Sequence, residues 1–337
     1  MKRNAVAVAT LLVGCGTLAS PAEKDDTLPN AHAGPFRPLR VTEIDTSITG
    51  QPAPYIARRE RHRFRSPAPL DVDGDPSTLP LWLYALEGDD DAPSIVRFTA
   101  EDGRSMSREF EVVVEAADGD TLHAPNALRV DDEVWLYYGT PAGIVLRTSR
   151  DGRSFTDARP VVLGKLSCAN AAEVTLPDFG VTRLPSGNFH LFLAQGDSLC
   201  EAVSSDGLDF RAADDDGLVF RSTDLPFADG LGLGRIRLAH PFAVAATSAE
   251  GRLGVRVYFT GEGEGGESFI GLAARYGETG QLVSAVAPVL RTEGSPREAA
   301  ILGFAEFALV YFTLDADGAG GFPALAAGVA PATVRLE

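Results

Sequence analysis

A chain of 337 residues with a formal net charge of −17 is long enough for one large domain or two ordinary ones. It lacks the basic face that nucleic-acid phosphates require. A composition of 45% hydrophobic and 23% charged residues, with 35 Gly and 22 Pro, suits a soluble, turn-rich β protein, and the charge itself reads first as solubility.

The chain opens with the basic Met1-Lys2-Arg3 and an apolar stretch, Ala5 to Val13, too short to span a bilayer as a helix. Residues 1–14 are therefore expected to be a signal peptide. They end in Leu12-Val13-Gly14-Cys15, a tetrad that resembles the lipobox of bacterial lipoproteins. The resemblance implies cleavage before Cys15 and acylation of that cysteine, palmitate included. Several acyl chains hold a protein stably at a membrane where one would not. Gly16, rather than Asp, follows the cysteine, which favours the outer membrane of a bacterial envelope. Without Cys15, Cys168 and Cys200 are an even pair that either forms a disulfide or remains two buried thiols.

Residues 15–40 show no periodicity and are rich in Pro, Ala and charge, and they read as a flexible tether. Residues 41–65 carry VTEIDTSIT and then the basic run ARRERHRFR. They read as a charged lead-in, either a solvated edge or a patch facing anionic lipid.

From residue 66 a repeat sets in. Its copies open at Pro67, Pro125, Pro177, Pro241 and Pro296, about 50–65 residues apart. Each opening leads through a short apolar strand to an aromatic one: LWLYAL (81–86), VWLYYG (134–139), FHLFLA (189–194), VRVYFTG (255–261) and FALVYFT (307–313). Alternating apolar and β-branched residues bounded by Gly, Asp and Pro predict antiparallel strands. Asp-Gly turns follow the third strands at Asp102-Gly103, Asp151-Gly152 and Asp206-Gly207, and the fourth copy is reduced to Arg275-Tyr276-Gly277. Units of this size are blades, so residues 66–337 are expected to form an all-β, five-bladed β-propeller of antiparallel blades.

His123-Ala124-Pro125-Asn126 followed by VWLYYG, together with the Ser-x-Asp-Gly-x-x-Phe turns at 149–155 and 204–210, resembles the five-bladed propeller glycoside hydrolases. These are the arabinanase and β-xylosidase group and its invertase and levansucrase relatives. The resemblance covers roughly 270 residues, and short motifs of this kind speak for fold more than for activity. In that family an acid and a base or nucleophile stand on innermost strands. Carried over, those positions fall on Ser66, Asn126, Leu176 and near Ala239, none of which is a carboxylate. The resemblance thus implies a glycosidase-like propeller that has lost its catalytic pair and binds a glycan or an envelope protein.

The alternative is an active glycosidase with relocated acids. Asp178, Glu298 and one of Asp71, Asp73 or Asp75 are its candidates, with Glu173 beside the third opening. Ser66, His123, Asn126, Asp178, Arg237, His240 and Glu298 are the residues expected to line the funnel. A purely structural envelope protein is a third reading.

Asp71, Asp73 and Asp75 alternate as in a calcium loop, but Pro76 stands where glycine is wanted and Trp82 where the bidentate Glu belongs. Plain acidic turns explain them and the 315–318 echo, so no cofactor is expected. The run GEGEGGE (261–267) reads as an acidic loop. Zinc clusters, phosphate loops and a Gly-x-Ser-x-Gly elbow are missing from the sequence.

Overall fold

The computed structural model describes residues 34–40, 55–57, 62–72, 81–89, 92–100, 103–107, 109–117, 121–166, 178–214, 216–247, 252–292, 294–303, 307–315 and 323–331. Two short strands come first, β1 (Arg37–Pro38) and β2 (Tyr55–Ala57). Blade one is β3 (Phe64–Asp71), β4 (Leu81–Glu87), β5 (Ser94–Ala100) and β6 (Glu111–Glu115). Blade two is β7 (His123–Val130), β8 (Glu133–Thr140), β9 (Gly143–Ser149) and β10 (Arg159–Pro160).

Blade three holds β11 (Val162–Leu163), β12 (Asp178–Arg183), β13 (Phe189–Gln195), β14 (Ser198–Ser204), β15 (Asp209–Ala212) and β16 (Leu218–Arg221). After one helical turn, α1 (Ala228–Leu231), blade four is β17 (Arg237–Thr247), β18 (Leu253–Glu262), β19 (Ser268–Tyr276) and β20 (Val283–Ser284). Blade five is β21 (Arg297–Gly303), β22 (Phe307–Asp315) and β23 (Pro323–Pro331). The innermost strands of the blades meet in a closed ring, β3 to β7, β12, β17, β21 and back to β3. That is a five-bladed antiparallel propeller.

Blade five is completed from the other end of the chain. Both β1 and β2 pair antiparallel with β23, and Phe36, Leu39 and Ile56 are buried. The stretches that read as tether and charged lead-in therefore contribute strands to the propeller, and Phe64 lies in the core as the first residue of β3. Arg63 and Arg65 flank it at intermediate exposure. Pairing the two ends buries the open edge that a five-blade ring would otherwise leave unpaired.

Three of the seams between blades share one device. The tyrosine of the aromatic strand donates its hydroxyl to the carbonyl of the Asp-Gly turn in the next blade: Tyr84 to Gly152 (3.0 Å), Tyr137 to Gly207 (2.9 Å) and Tyr311 to Gly103 (2.6 Å). The last of these joins blade five to blade one. Each glycine has positive φ, and side chains crowd its α-carbon from the neighbouring blade, so the turn needs glycine twice over. Burial raises the Tyr84 and Tyr137 phenols well above their usual range, which leaves them as donors. Blade three has Phe192 at this position. Tyr137→Phe is expected to cost about 1–2 kcal/mol by stranding a buried carbonyl, read as a lower urea midpoint at unchanged slope.

The turns are themselves braced. Asp151 accepts from the backbone N–H groups of Ser154 and Arg153 and from the Ser149 hydroxyl, and Asp206 accepts from those of Asp209 and Leu208 and from Ser204. These bonds, backbone first, lower both carboxyls from 3.8 to about 2. A depressed carboxylate stabilises the fold above its unfolded pKa and loses that contribution as pH falls through the folded one. An acid limb in stability is thus expected between 3.8 and about 2. Urea midpoints taken across that range should show it shallower in Asp206→Asn.

Cys200 is buried and disulfide-bonded. Cys168, like Cys15, Asp73, Asp75, Glu173 and Leu176, lies outside the described residues.

Candidate functional site at the propeller axis

Four of the five innermost strands begin with the same irregularity. In blades one, two, four and five the pairing with the second strand slips by one residue, between Arg65 and Ala68, His123 and Asn126, Ala239 and Phe242, and Arg297 and Ala300. The first residue inside each bulge has a left-handed backbone: Ser66 (φ 50), Ala124 (φ 47), His240 (φ 47) and Glu298 (φ 53). A bulge re-aims a side chain, and left-handed non-glycine residues cost about 1–2 kcal/mol each, a strain that concentrates at ligand sites. The opening prolines occupy the next position in three of them, and Ala299 takes that place in blade five. In blade three Asp178 starts β12 in unbroken register opposite Ala194. Gly180 lets that strand approach Pro241, whose carbonyl any β-carbon there would strike.

These positions revise the correspondence expected from the sequence. The residue equivalent to Ser66 is Ala124 in blade two, with Asn126 two places further on, and His240 in blade four, with Ala239 just before it. Only blade five carries a carboxylate there, Glu298. Asn126 is buried and accepts from the Val181 N–H through Oδ1 (3.3 Å), so it ties blade two to blade three.

Of the expected funnel residues, Asp178, His240, Glu298 and Arg237 come together. The His240 ring lies between the two acids, Nδ1 3.3 Å from Asp178 and Nε2 3.9 Å from Glu298. Arg237 reaches Asp178 at 3.7 Å and donates to Glu262 at 3.1 Å. Glu298 Oε2 accepts from the Ser66 N–H (2.6 Å) and the Thr313 hydroxyl (2.7 Å), and the Glu298 N–H donates to the Thr260 hydroxyl (3.0 Å). The side chains of both acids are 14% exposed and that of His240 25%, so each can still be reached from solvent.

His123 stands beside this group, its ring against the α-carbon of Gly139. Burial lowers its pKa; Asp178 and Glu298 oppose that, and His240 and Arg65 add to it, so the neutral imidazole is favoured. For Glu298 burial pushes upward, but His240, the two hydrogen bonds and Arg65 outweigh it, and its pKa falls below 4.5. A general acid needs the opposite shift. The described residues leave a shallow axial hollow of about 30 Å³ among Ser66, Asn126, His240 and Glu298, open to solvent.

Sequence reasoning missed Thr260, Thr313, Glu262 and Arg65. The threonines had a signal: they occupy one position in the repeat of the aromatic strands, where blades one to three have Leu86, Gly139 and Ala194. Asp71 ends β3, and among the described residues no group of His, Cys, Asp and Glu is arranged to hold a metal ion.

The fold and this ring of strands define a five-bladed β-propeller that resembles the family 43 glycoside hydrolases in structure. A putative glycoside hydrolase from Bacteroides ovatus is similar over 88% of this chain and 97% of its own, at 12% identity and a TM-score of 0.59. A thermostable family-43 glycoside hydrolase is similar over 80% and 89%, at 11% identity and 0.57. A family-43 enzyme from Xanthomonas citri, solved with xylotriose, covers 82% and 89%, at 13% identity and 0.55. No protein-family model matches the sequence, and no curated protein matches it.

Proposed function

We propose that the chain is a lipid-anchored envelope protein whose propeller binds a glycan at the axial cluster without cleaving it. The observation that carries this reading is His240. Its ring occupies the space between Asp178 and Glu298, where a hydrolase needs room for the sugar and its water. Supporting it, Glu298 is held ionised by its donors, and Arg237, His240, Asp178 and Glu298 offer donors and acceptors that hydroxyl-rich ligands use. A protein partner in the envelope is the companion possibility for the same face. The anchor rests on Leu12-Val13-Gly14-Cys15; Cys15→Ser is expected to abolish palmitate labelling and release the protein from the outer-membrane fraction.

The second reading, a glycosidase with relocated acids, is favoured by Asp178 and Glu298 converging on one imidazole. One pair of assays separates the two. The protein is screened on a glycan array and incubated with aryl xyloside and arabinofuranoside. Binding that His240→Ala abolishes, with no product released, is expected. Turnover lost in both Asp178→Asn and Glu298→Gln would overturn the non-catalytic reading.

A further inference from the structure

A second, larger cleft lies on the side of the propeller that carries the axial cluster. Arg237 and Glu262 face each other across β17 and β18, and Glu262 pairs with Ser268 at the start of β19. The Ser268 hydroxyl donates to the Pro296 carbonyl (2.8 Å), two residues before Glu298. Outward from this bridge a cleft of about 540 Å³ opens among Leu233, Glu267, Ser268, Phe269, Arg291, Thr292 and Ser295. That volume falls in the range of small-molecule sites. Ser295 has a left-handed backbone (φ 49), the second such residue within four positions of Glu298.

We infer that this cleft is a binding site for a neutral saccharide, gripped through a pair of adjacent hydroxyls. The reasoning starts from Arg291 and Glu267. Their charged groups stand 3.8 Å apart, and their side chains are 55% and 65% exposed. That separation is too long for a hydrogen bond, and so exposed a pair gains little from direct contact. Two neighbouring ligand hydroxyls can bridge the pair from alongside, one accepting from the guanidinium and the other donating to the carboxylate. Both are charge-assisted bonds, roughly twice as strong as neutral ones. An anionic sugar meets Glu267 and a cationic one meets Arg291, so neither charge is favoured. Leu233, 9% exposed at the rim, adds a small apolar surface, while Phe269 beneath it is buried in the core.

This deepens the glycan-binding reading and rests on it, so the test keeps the two sites apart. The full chain is titrated calorimetrically with xylotriose and, separately, with trigalacturonate, alongside Arg291→Ala, Glu267→Gln and the axial variant His240→Ala. Both cleft variants change exposed side chains and should fold. Each is expected to weaken xylotriose about tenfold or more, the loss of one charge-assisted bond, with trigalacturonate the poorer ligand of the unaltered protein. If His240→Ala leaves that xylotriose binding intact, the cleft binds on its own and the axial reading falls. If all three variants lose it, one ligand spans both places and the inference holds. Xylotriose binding that is unchanged in both cleft variants but lost in His240→Ala overturns the cleft and keeps the axis. A preference for trigalacturonate overturns the neutral class, and no binding of either sugar overturns both readings.

Discussion

Glu201→Ala is expected to destabilise the protein by about 3–5 kcal/mol, the usual result of removing one partner from a buried ion group. Glu201 is fully buried on β14, opposite Phe192. Its Oε1 accepts from His190 Nδ1 (2.6 Å) and from the Arg275 guanidinium (2.5 Å), and His190 is as buried as Glu201 itself. Arg275 belongs to blade four, where it also donates to the carbonyls of Gly277, Glu278 and Gly280. At three other seams a tyrosine hydroxyl meets the turn of the next blade. Here the turn is degenerate, phenylalanine stands in the tyrosine's place, and Arg275 lies over the Phe192 ring at 6.0 Å. An ion group thus crosses a seam that lacks the tyrosine device. Without Glu201 the guanidinium remains in the interior with carbonyl partners but no counter-charge. Glu201→Gln keeps an acceptor and should cost less, while Arg150→Ala, whose side chain is 89% exposed and 4.0 Å from Glu133, should cost almost nothing. Urea unfolding of the three variants checks the order. A loss below about 1 kcal/mol in Glu201→Ala would place this group with surface ion pairs.

Much of the architecture could be read from the sequence because each blade repeats its chemistry locally. The opening prolines, the aromatic strands and the Asp-Gly turns each mark a feature within one blade, and counting them counts the blades. Even the exception at Phe192 paired with the degenerate turn at 275–277 is visible in the letters. The closing strands were not legible. Arg37–Pro38 and Tyr55–Ala57 are too short for a period to show, and their partner β23 lies at the far end of the chain. The site was half legible for the same reason. Asp178, His240 and Glu298 stand out as polar residues at strand starts. That one ring stands between two acids from two other blades depends on two bulges and one unbroken register, and no local pattern encodes that. The bulge also explains the misplaced correspondence in blades two and four. It shifts the re-aimed position by two residues in blade two and by one in blade four, and a one-residue shift on a strand exchanges one face for the other.

Glu298→Ala is expected to have the largest effect at the axis. At neutral pH it should cost about 2–3 kcal/mol, the scale of hydrogen bonds made to a charged group. The Ser66 N–H loses its 2.6 Å acceptor and retains only the Thr313 hydroxyl at 3.2 Å, and that hydroxyl loses its own acceptor. Backbone strain is not the source, since alanine and glutamate meet the same left-handed constraint. Because the Glu298 pKa is lowered on folding, burial being outweighed by His240, Thr313, Ser66 and Arg65, its contribution is complete above the ordinary carboxylate value of 4.5. It is lost as pH falls through the lowered one. The stability gap between the unaltered protein and Glu298→Ala should therefore narrow in acid, as the native carboxylate becomes protonated and stops accepting. Glu298→Gln should fall between the two, keeping an acceptor oxygen for Ser66 but no charge for His240. Urea midpoints of all three, followed from neutral pH into acid, test this. A gap that stays constant with pH would mean that the loss comes from packing, and that the charge facing His240 plays no part in holding the axial cluster together.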